Sequence, residues 1–285
     1  MKRVQSIFNF RSSGHLVIRS SILQSIFLVF LLWSSAYADG AASVYIEDLT
    51  WMEVRERVQS GRTIAIIPSG GTQQEGPQLA TGKHNVVAAY AASEIARRLG
   101  NALVAPVIAY VPSGRISPPE GHMQFPGTIS VSNATYEALL EEAARSLKQS
   151  GFHMICFLGD SVGTQAIQAR VARRLNEEWR SDRVTALNLS SYFYKNGHEE
   201  WSETLPVKVE HPEAHAGHID TSEMMAVDSA GVRDNLRGVR GEHDYKTTGA
   251  MGDSSVASAA YGRKYLSLKI EAAIRQIQNA SGHAK

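Results

Sequence analysis

The sequence predicts an α/β protein built on a parallel or mostly parallel sheet, with helices on both faces. Three observations point there. Short apolar, β-branched runs alternate along the chain with longer segments of helical spacing. Each run is apolar throughout, as a strand buried on both faces requires. The runs end in Gly, Pro and polar residues, which mark loops at the strand ends.

The elements follow in order. Arg62–Pro68 reads as a buried strand feeding a loop at Gly70 and Gly71. Asn85–Leu99 carries apolar or small residues at Val86, Val87, Ala89, Tyr90, Ala92, Ile95, Ala96 and Leu99. That is helical spacing, and Gly100 stands just past its end. Ala102–Val107 is a second strand. Val111–Thr128 is rich in Pro and Gly and reads as a long ordered loop, uncommon unless functional. Ser132–Ser150 opens on a serine cap and runs helically to Gly151. His153–Leu158 is a third strand, Gly163–Arg180 a helix, Val184–Leu189 a fourth strand and Ser258–Asn279 a final amphipathic helix. No repeat and no linker interrupts the chain after residue 39, so residues 39–285 read as one domain.

The first 38 residues read differently. Lys2, Arg3, Arg11 and Arg19 precede an apolar run, Ile22 to Trp33, and then Ser34, Ser35, Ala36, Tyr37 and Ala38. This is the order of a secretory signal peptide, with cleavage expected after Ala38. The alternative is a retained membrane anchor, but the run falls short of the roughly 20 apolar residues a span needs. The expected compartment is therefore extracellular or periplasmic. Cleavage removes four basic residues and no acid, leaving a mildly acidic mature chain.

Composition narrows the function. Hydrophobic residues make up 43% and charged residues 20% of the 285 residues, an ordinary globular balance. Lys+Arg number 29 against 28 Asp+Glu, which gives no electrostatic case for a nucleic-acid partner. The single cysteine, Cys156, excludes an intramolecular disulfide and a cysteine-based zinc cluster. It lies inside an apolar run and reads as an inert buried thiol. A G-x-S-x-G elbow and a phosphate-binding loop are both absent, and Gly70-Gly71 lacks the rest of a dinucleotide fingerprint.

In sheets of this class, ligands gather at the carboxyl ends of the strands. The segments expected there hold Gln73, Gln74, Glu75 and His84 after strand one and His122 after strand two. Asp160 follows strand three, and His211, Glu213, His215, His218 and Asp220 come later. Histidine nitrogens and carboxylate oxygens suit zinc or manganese. Held with an open position, such an ion makes water nucleophilic near neutral pH. Each residue has a plainer alternative. Glu75 in a Gly/Pro-rich loop can be a surface charge, His84 a cap, and Asp160 an acceptor for loop N–H groups. His122 beside a Phe-Pro-Gly turn can be structural. His215 and His218 could share a helical face, but Gly217 between them argues for a loop. His153 reads as structural; His198, His243 and His283 read as solvated.

Four ordered segments carry a resemblance. PSGGTQQEGPQL (Pro68–Leu79) is similar to P-x-G-S-x-E-Q-H-G-P-H-L, and GHMQFPGT (Gly121–Thr128) to H-x-x-F-P-G-T. GFHMICFLGD (Gly151–Asp160) is similar to G-F followed by an apolar run and G-H, and HAGHIDTS (His215–Ser222) to H-A-G-E-x-E-T-S. Across roughly residues 45–280 the chain resembles the creatininase (creatinine amidohydrolase) family. The resemblance implies a three-layer α/β/α domain with a two-metal zinc or manganese site. It also implies hydrolysis of a small amide C–N bond and a homo-oligomer, often a hexamer. The family's ligand positions fall on Gln73, Glu75, His84, Asp160, Val162, His218 and Asp220, and each has changed type. Glu75, His84, Asp160 and His218 still offer metal-competent atoms.

The resulting expectation is one zinc or manganese ion per chain, held by Glu75, His84 and Asp160 with His218 adjacent. His215 would shuttle a proton to the leaving nitrogen and Asp220 would orient it. Gln73, His122 and Thr128 would contact a small-molecule amide or lactam. The alternative is a metal-free, non-catalytic periplasmic binding or assembly protein on the same scaffold.

Overall fold

The computed structural model describes residues 43–207, 214–238 and 245–282. The expected signal peptide and His211, Glu213, His243 and His283 lie outside the described residues.

Four parallel strands form one sheet in the order β2-β1-β3-β4: β1 (Ile64–Ser69), β2 (Ala102–Val104), β3 (Met154–Gly159) and β4 (Thr185–Asn188). The first strand is central, with Ile66 opposite both Val104 and Cys156. Side-chain alternation divides the core into two halves. Ile64, Ile66, Ala102, Val104, Met154, Cys156 and Leu158 face one side, while Ala65, Ile67, Leu103, Ile155 and Phe157 face the other. Both sides are buried, so every residue of β1, β2 and β3 is buried and the strands read as continuous apolar runs.

Helices cover both faces. Helix α1 (Trp51–Gln59) opens on a capping box between Thr50 and Glu53. Helix α2 (Lys83–Leu99) packs Val87, Ala88, Ala91, Ala92 and Ile95 on the Ile66 side. Gly100 closes it at φ +77°, a left-handed conformation that glycine adopts without strain. Helix α3 (Asn133–Gln149), capped by the Ser132 hydroxyl, and helix α4 (Val162–Glu178) cover the Ile67 side with Tyr136, Leu140, Ile167, Val171 and Leu175. Short helices α5 (Ser190–Phe193) and α6 (His198–Ser202) follow β4. Then come α7 (His218–Val227), the short α8 (Tyr245–Thr248) and the long α9 (Ala259–Gly282). Helix α9 joins α2 on the Ile66 side through Leu266, Ile270, Ala273 and Ile277. The result is the three-layer α/β/α arrangement.

Three departures from the sequence reading bear on function. Strand β2 stops at Val104 rather than at Val107, two residues before Pro106, which carries no N–H for the ladder. The chain rejoins β1 where Ile108 N–H donates to Pro68 O (2.9 Å). Helix α2 begins two residues early, which puts Lys83 and His84 in its first turn. The segment with Gly217 is not simply a loop: Gly217 caps α7, whose first residue is His218. Among the described residues, no helix is long and apolar enough to cross a membrane.

A close approach ties β1 to α2. A Cβ on Gly70 would lie 2.5 Å from the Asn85 backbone nitrogen, so only glycine fits. Asn85 Oδ1 in turn accepts from Gly71 N–H at 2.9 Å, and its amide donates to Thr72 Oγ1 at 3.1 Å. The loop that carries Gln73–Glu75 is thereby fixed over the helix N-terminus. The fully buried Ile66 sits at the centre of this packing. Ile66→Ala is expected to lower the unfolding free energy by about 2–5 kcal/mol in urea denaturation. A loss under about 1 kcal/mol would contradict a close-packed central strand.

Candidate functional site

A cavity of about 570 Å³ opens above the carboxyl ends of the strands. Its polar floor includes Gln73, Lys83, His84, Asp160, Asp220, Glu223 and Lys269, and its upper wall includes Phe193, Tyr194, Ile219 and Met251. Five segments of the chain deliver the floor residues. Gln73 and Glu75 lie on the loop after β1. Lys83 and His84 open α2, and Asp160 follows β3. Asp220 and Glu223 lie one turn apart on α7, and Lys269 comes from the middle of α9.

His84 is the keystone. Its Nδ1 is 2.8 Å from Asp160 Oδ2 and its Nε2 is 2.8 Å from Glu75 Oε1. Carboxylate oxygens only accept, so both ring nitrogens carry protons and the ring is an imidazolium. Burial disfavours that charge, but Glu75 and Asp160 outweigh it and push the His84 pKa up to about 9. Burial likewise opposes ionisation of both carboxylates. Glu75 is nevertheless held well below the usual carboxylate range by His84 and His215, and Asp160 by Lys269 and Lys83. His84 thus sits between Glu75 and Asp160, the two carboxylates it was expected to join at a metal ion.

Asp160 is equally committed. Oδ1 accepts from Tyr192 OH at 2.8 Å and from Lys269 Nζ at 3.1 Å, while Oδ2 accepts from His84. Lys269 Nζ also donates to both Glu223 oxygens, at 3.0 and 3.2 Å, and lies 4.6 Å from the centre of the Tyr192 ring. Lys83 Nζ donates to Asp220 Oδ1 at 2.5 Å and stands 3.7 Å from Asp160 Oδ2. Burial penalises both ammonium groups. Asp220 and Asp160 overcome it at Lys83, and Asp160 and Glu223 at Lys269, so both stay protonated above the ordinary lysine range.

A second group of possible ligands includes Asp220, although its two oxygens accept from Lys83 Nζ and Ala216 N–H. Glu75, His215 and Asp220 each offer a ligand atom, and the three atoms lie within 4.8 Å of one another. Glu75 Oε2 is buried without a hydrogen-bond partner. His215 Nε2 lies 3.1 Å from Gln74 O and 3.0 Å from Gln74 Nε2, and its Nδ1 lies 3.9 Å from Glu75 Oε2. One orphaned carboxylate oxygen, one imidazole nitrogen and a half-buried carboxylate are an N/O donor set suited to one zinc or manganese ion.

The other expected site residues fall in several places. Gln73 bridges Ser113 Oγ (3.0 Å) and Glu75 Oε1 (2.8 Å), so it positions Glu75. His122 lines the cavity. Its Nδ1 accepts from Gln74 Nε2 at 2.8 Å, and burial with the neighbouring His215 lowers its pKa to about 4. Thr128 does not line the cavity; its hydroxyl accepts from Gln74 N–H at 3.1 Å and steadies the loop. His218 is not brought to the cluster. Its ring packs 5.4 Å from Tyr261 and 5.7 Å from Tyr265, both nitrogens lack partners, and burial lowers its pKa to about 4. His198, read as solvated, instead lines the cavity.

Lys83, Glu223, Lys269 and Tyr192 were not anticipated. Lys269 did leave a trace in the sequence: it interrupts the apolar stripe of Leu266, Ile270 and Ala273.

Comparison with known proteins agrees with the fold. Residues 47–277 match the family model Creatininase, described as creatinine amidohydrolase. A mycofactocin precursor peptide peptidase of Mycolicibacterium smegmatis is 27% identical over 221 residues, covering 70% of this chain and 78% of that protein. A creatinine amidohydrolase of Pseudomonas putida is 29% identical over 109 residues, covering 38% and 41%. A solved mutant creatininase of Zn-Zn type superposes with a TM-score of 0.67 at 20% identity, covering 84% of this chain and 98% of that one.

Two outcomes follow from the charge cluster. Asp160→Asn leaves Lys269 and His84 short of a countercharge and is expected to cost about 3–5 kcal/mol of unfolding free energy. A urea midpoint unchanged from wild type would contradict this. The raised His84 pKa adds stability that is full below its ordinary 6.5 and is lost as pH rises through about 9. The melting temperature is therefore expected to fall from pH 7 to pH 9.5, and to fall less in His84→Gln.

Proposed function

The chain belongs to the creatininase family, and from that premise we propose that it is a hydrolase of amide C–N bonds assisted by a single zinc or manganese ion. The observation that carries this reading is the unpartnered Glu75 Oε2 beside His215 Nδ1 and Asp220. Glu75, His215 and Asp220 would hold the ion, and such an ion polarises a carbonyl and acidifies water.

The chain's own groups do the rest. Gln73 and the His84 imidazolium fix Glu75 Oε1, which aims Oε2 at the ion's position. Gln74 holds the His215 ring through its carbonyl and amide, and Lys83 with Ala216 N–H fixes the two oxygens of Asp220. His122, neutral and protonated on Nε2, offers one N–H from the wall. With His215 assigned to the ion, the proton-shuttle role expected of it is not needed.

The substrate class we favour is a small amide or lactam. A second reading, cleavage near the end of a peptide, is favoured by the named activity of the mycobacterial relative. The cavity of about 570 Å³ with its apolar wall also exceeds the needs of a small ring. We further propose export with cleavage after Ala38 and assembly as a homo-oligomer. The direct test is a paired screen of lactams and short peptides with chelator-treated and reloaded enzyme. Chelation is expected to abolish turnover and zinc or manganese to restore it. Glu75→Gln and His215→Ala should each lower kcat/KM by about 100-fold or more. Full activity in Glu75→Gln would overturn the assignment.

A further inference from the structure

Two lysines in a cavity floor are unusual where an ion is expected, because like charges compete for the same ligands. Lys83 is 1% exposed and Lys269 7% exposed, and both point into carboxylates rather than solvent. Lys269 Nζ touches Asp160 Oδ1 and both oxygens of Glu223. Lys83 Nζ touches Asp220 Oδ1 and stands within 4 Å of Asp160 and Glu223. Glu75, Asp160, Asp220 and Glu223 thus face Lys83, Lys269 and His84, four carboxylates to three cations. The oxygen without a hydrogen-bond partner is Glu75 Oε2, 3.9 Å from His215 Nδ1.

We propose that Lys83 and Lys269 are resident cations that close the Asp160–Glu223 side of the cavity to divalent ions. They act as positioning residues: their ammonium groups hold the carboxylates where a second metal ion would otherwise hold them. Ligand supply says the same as charge. Asp160 has no oxygen free of a donor, and Glu223 gives both of its oxygens to Lys269. A divalent ion placed among them would have to displace a buried ammonium from Asp160 and Glu223 together. Tyr192 reinforces the arrangement by donating to Asp160 while its ring backs Lys269.

The inference rests on the single-ion reading only for the absolute number of ions in the wild-type chain. Its own signature is a difference. Metal-stripped full-length wild type, Lys269→Met and Lys269→Arg are titrated with manganese(II). Free ion is read by electron paramagnetic resonance, and bound ion by elemental analysis after desalting. Lys269→Met vacates Asp160 Oδ1 and Glu223 together and is expected to bind one more ion per chain than wild type. Lys269→Arg keeps the cation and should bind the same number as wild type. Equal numbers in wild type and a folded Lys269→Met would overturn the proposal. So would a wild-type chain that takes two ions with Lys269 intact, a result that stands even if Lys269→Met does not fold. If wild type binds none and Lys269→Met binds one, the single-ion reading fails while this inference holds.

Discussion

The site depends on one buried imidazolium held between two carboxylates. His84 can occupy that place only because α2 starts at Lys83, directly above the carboxyl ends of β1 and β3. From there it reaches Glu75 on one side and Asp160 on the other. In a low-dielectric pocket each of those charges alone would be costly, and together they are mutually required. Everything beyond them follows from compensation. Asp160 draws in Lys269 and Tyr192, Lys269 draws in Glu223, and Lys83 completes the chain to Asp220. The cavity floor is thus a continuous ionic network spanning the loop after β1, α2, the end of β3, α7 and α9.

That network separates two kinds of carboxylate. Asp160 and Glu223 are fully engaged by protein donors and serve the structure of the floor. Glu75 is split: Oε1 belongs to the network through Gln73 and His84, and Oε2 stands free beside His215. A residue with one oxygen anchored and the other open is rigid and still able to bind, which suits a ligand that must not reorganise during a reaction. The same logic explains the polar scaffold around His215. The Gln74 amide reaches His122, His215 and Gly249 O, and its backbone carbonyl also meets His215 Nε2.

The fold was legible because β1 and β3 are buried on both faces, and nothing but a covered parallel sheet accommodates such runs. Strand-end logic likewise singled out Glu75, His84 and Asp160 as neighbours, which they are. Their roles were not legible. Residue type cannot tell a metal-binding histidine from an imidazolium; only the two facing carboxylates decide it. Lys269 escaped notice because a lysine in a helix reads as a solvated charge, and Lys83 because the spacing placed the helix start at Asn85. Helix α7 escaped because Gly217 reads as a break, whereas here it supplies the cap that lets Asp220 and Glu223 face the cavity. His218 shows the converse: the spacing that grouped it with His215 does not survive the turn at Gly217, and its ring goes to Tyr261 and Tyr265.

A zinc-edge anomalous difference map from crystals of the zinc-loaded protein tests the account most directly. The account predicts one peak per chain, between Glu75 Oε2, His215 Nδ1 and Asp220, with the Lys269 ammonium still on Asp160 and Glu223. A peak bonded to Asp160 or His84, with Lys269 swung out of the floor, would contradict it.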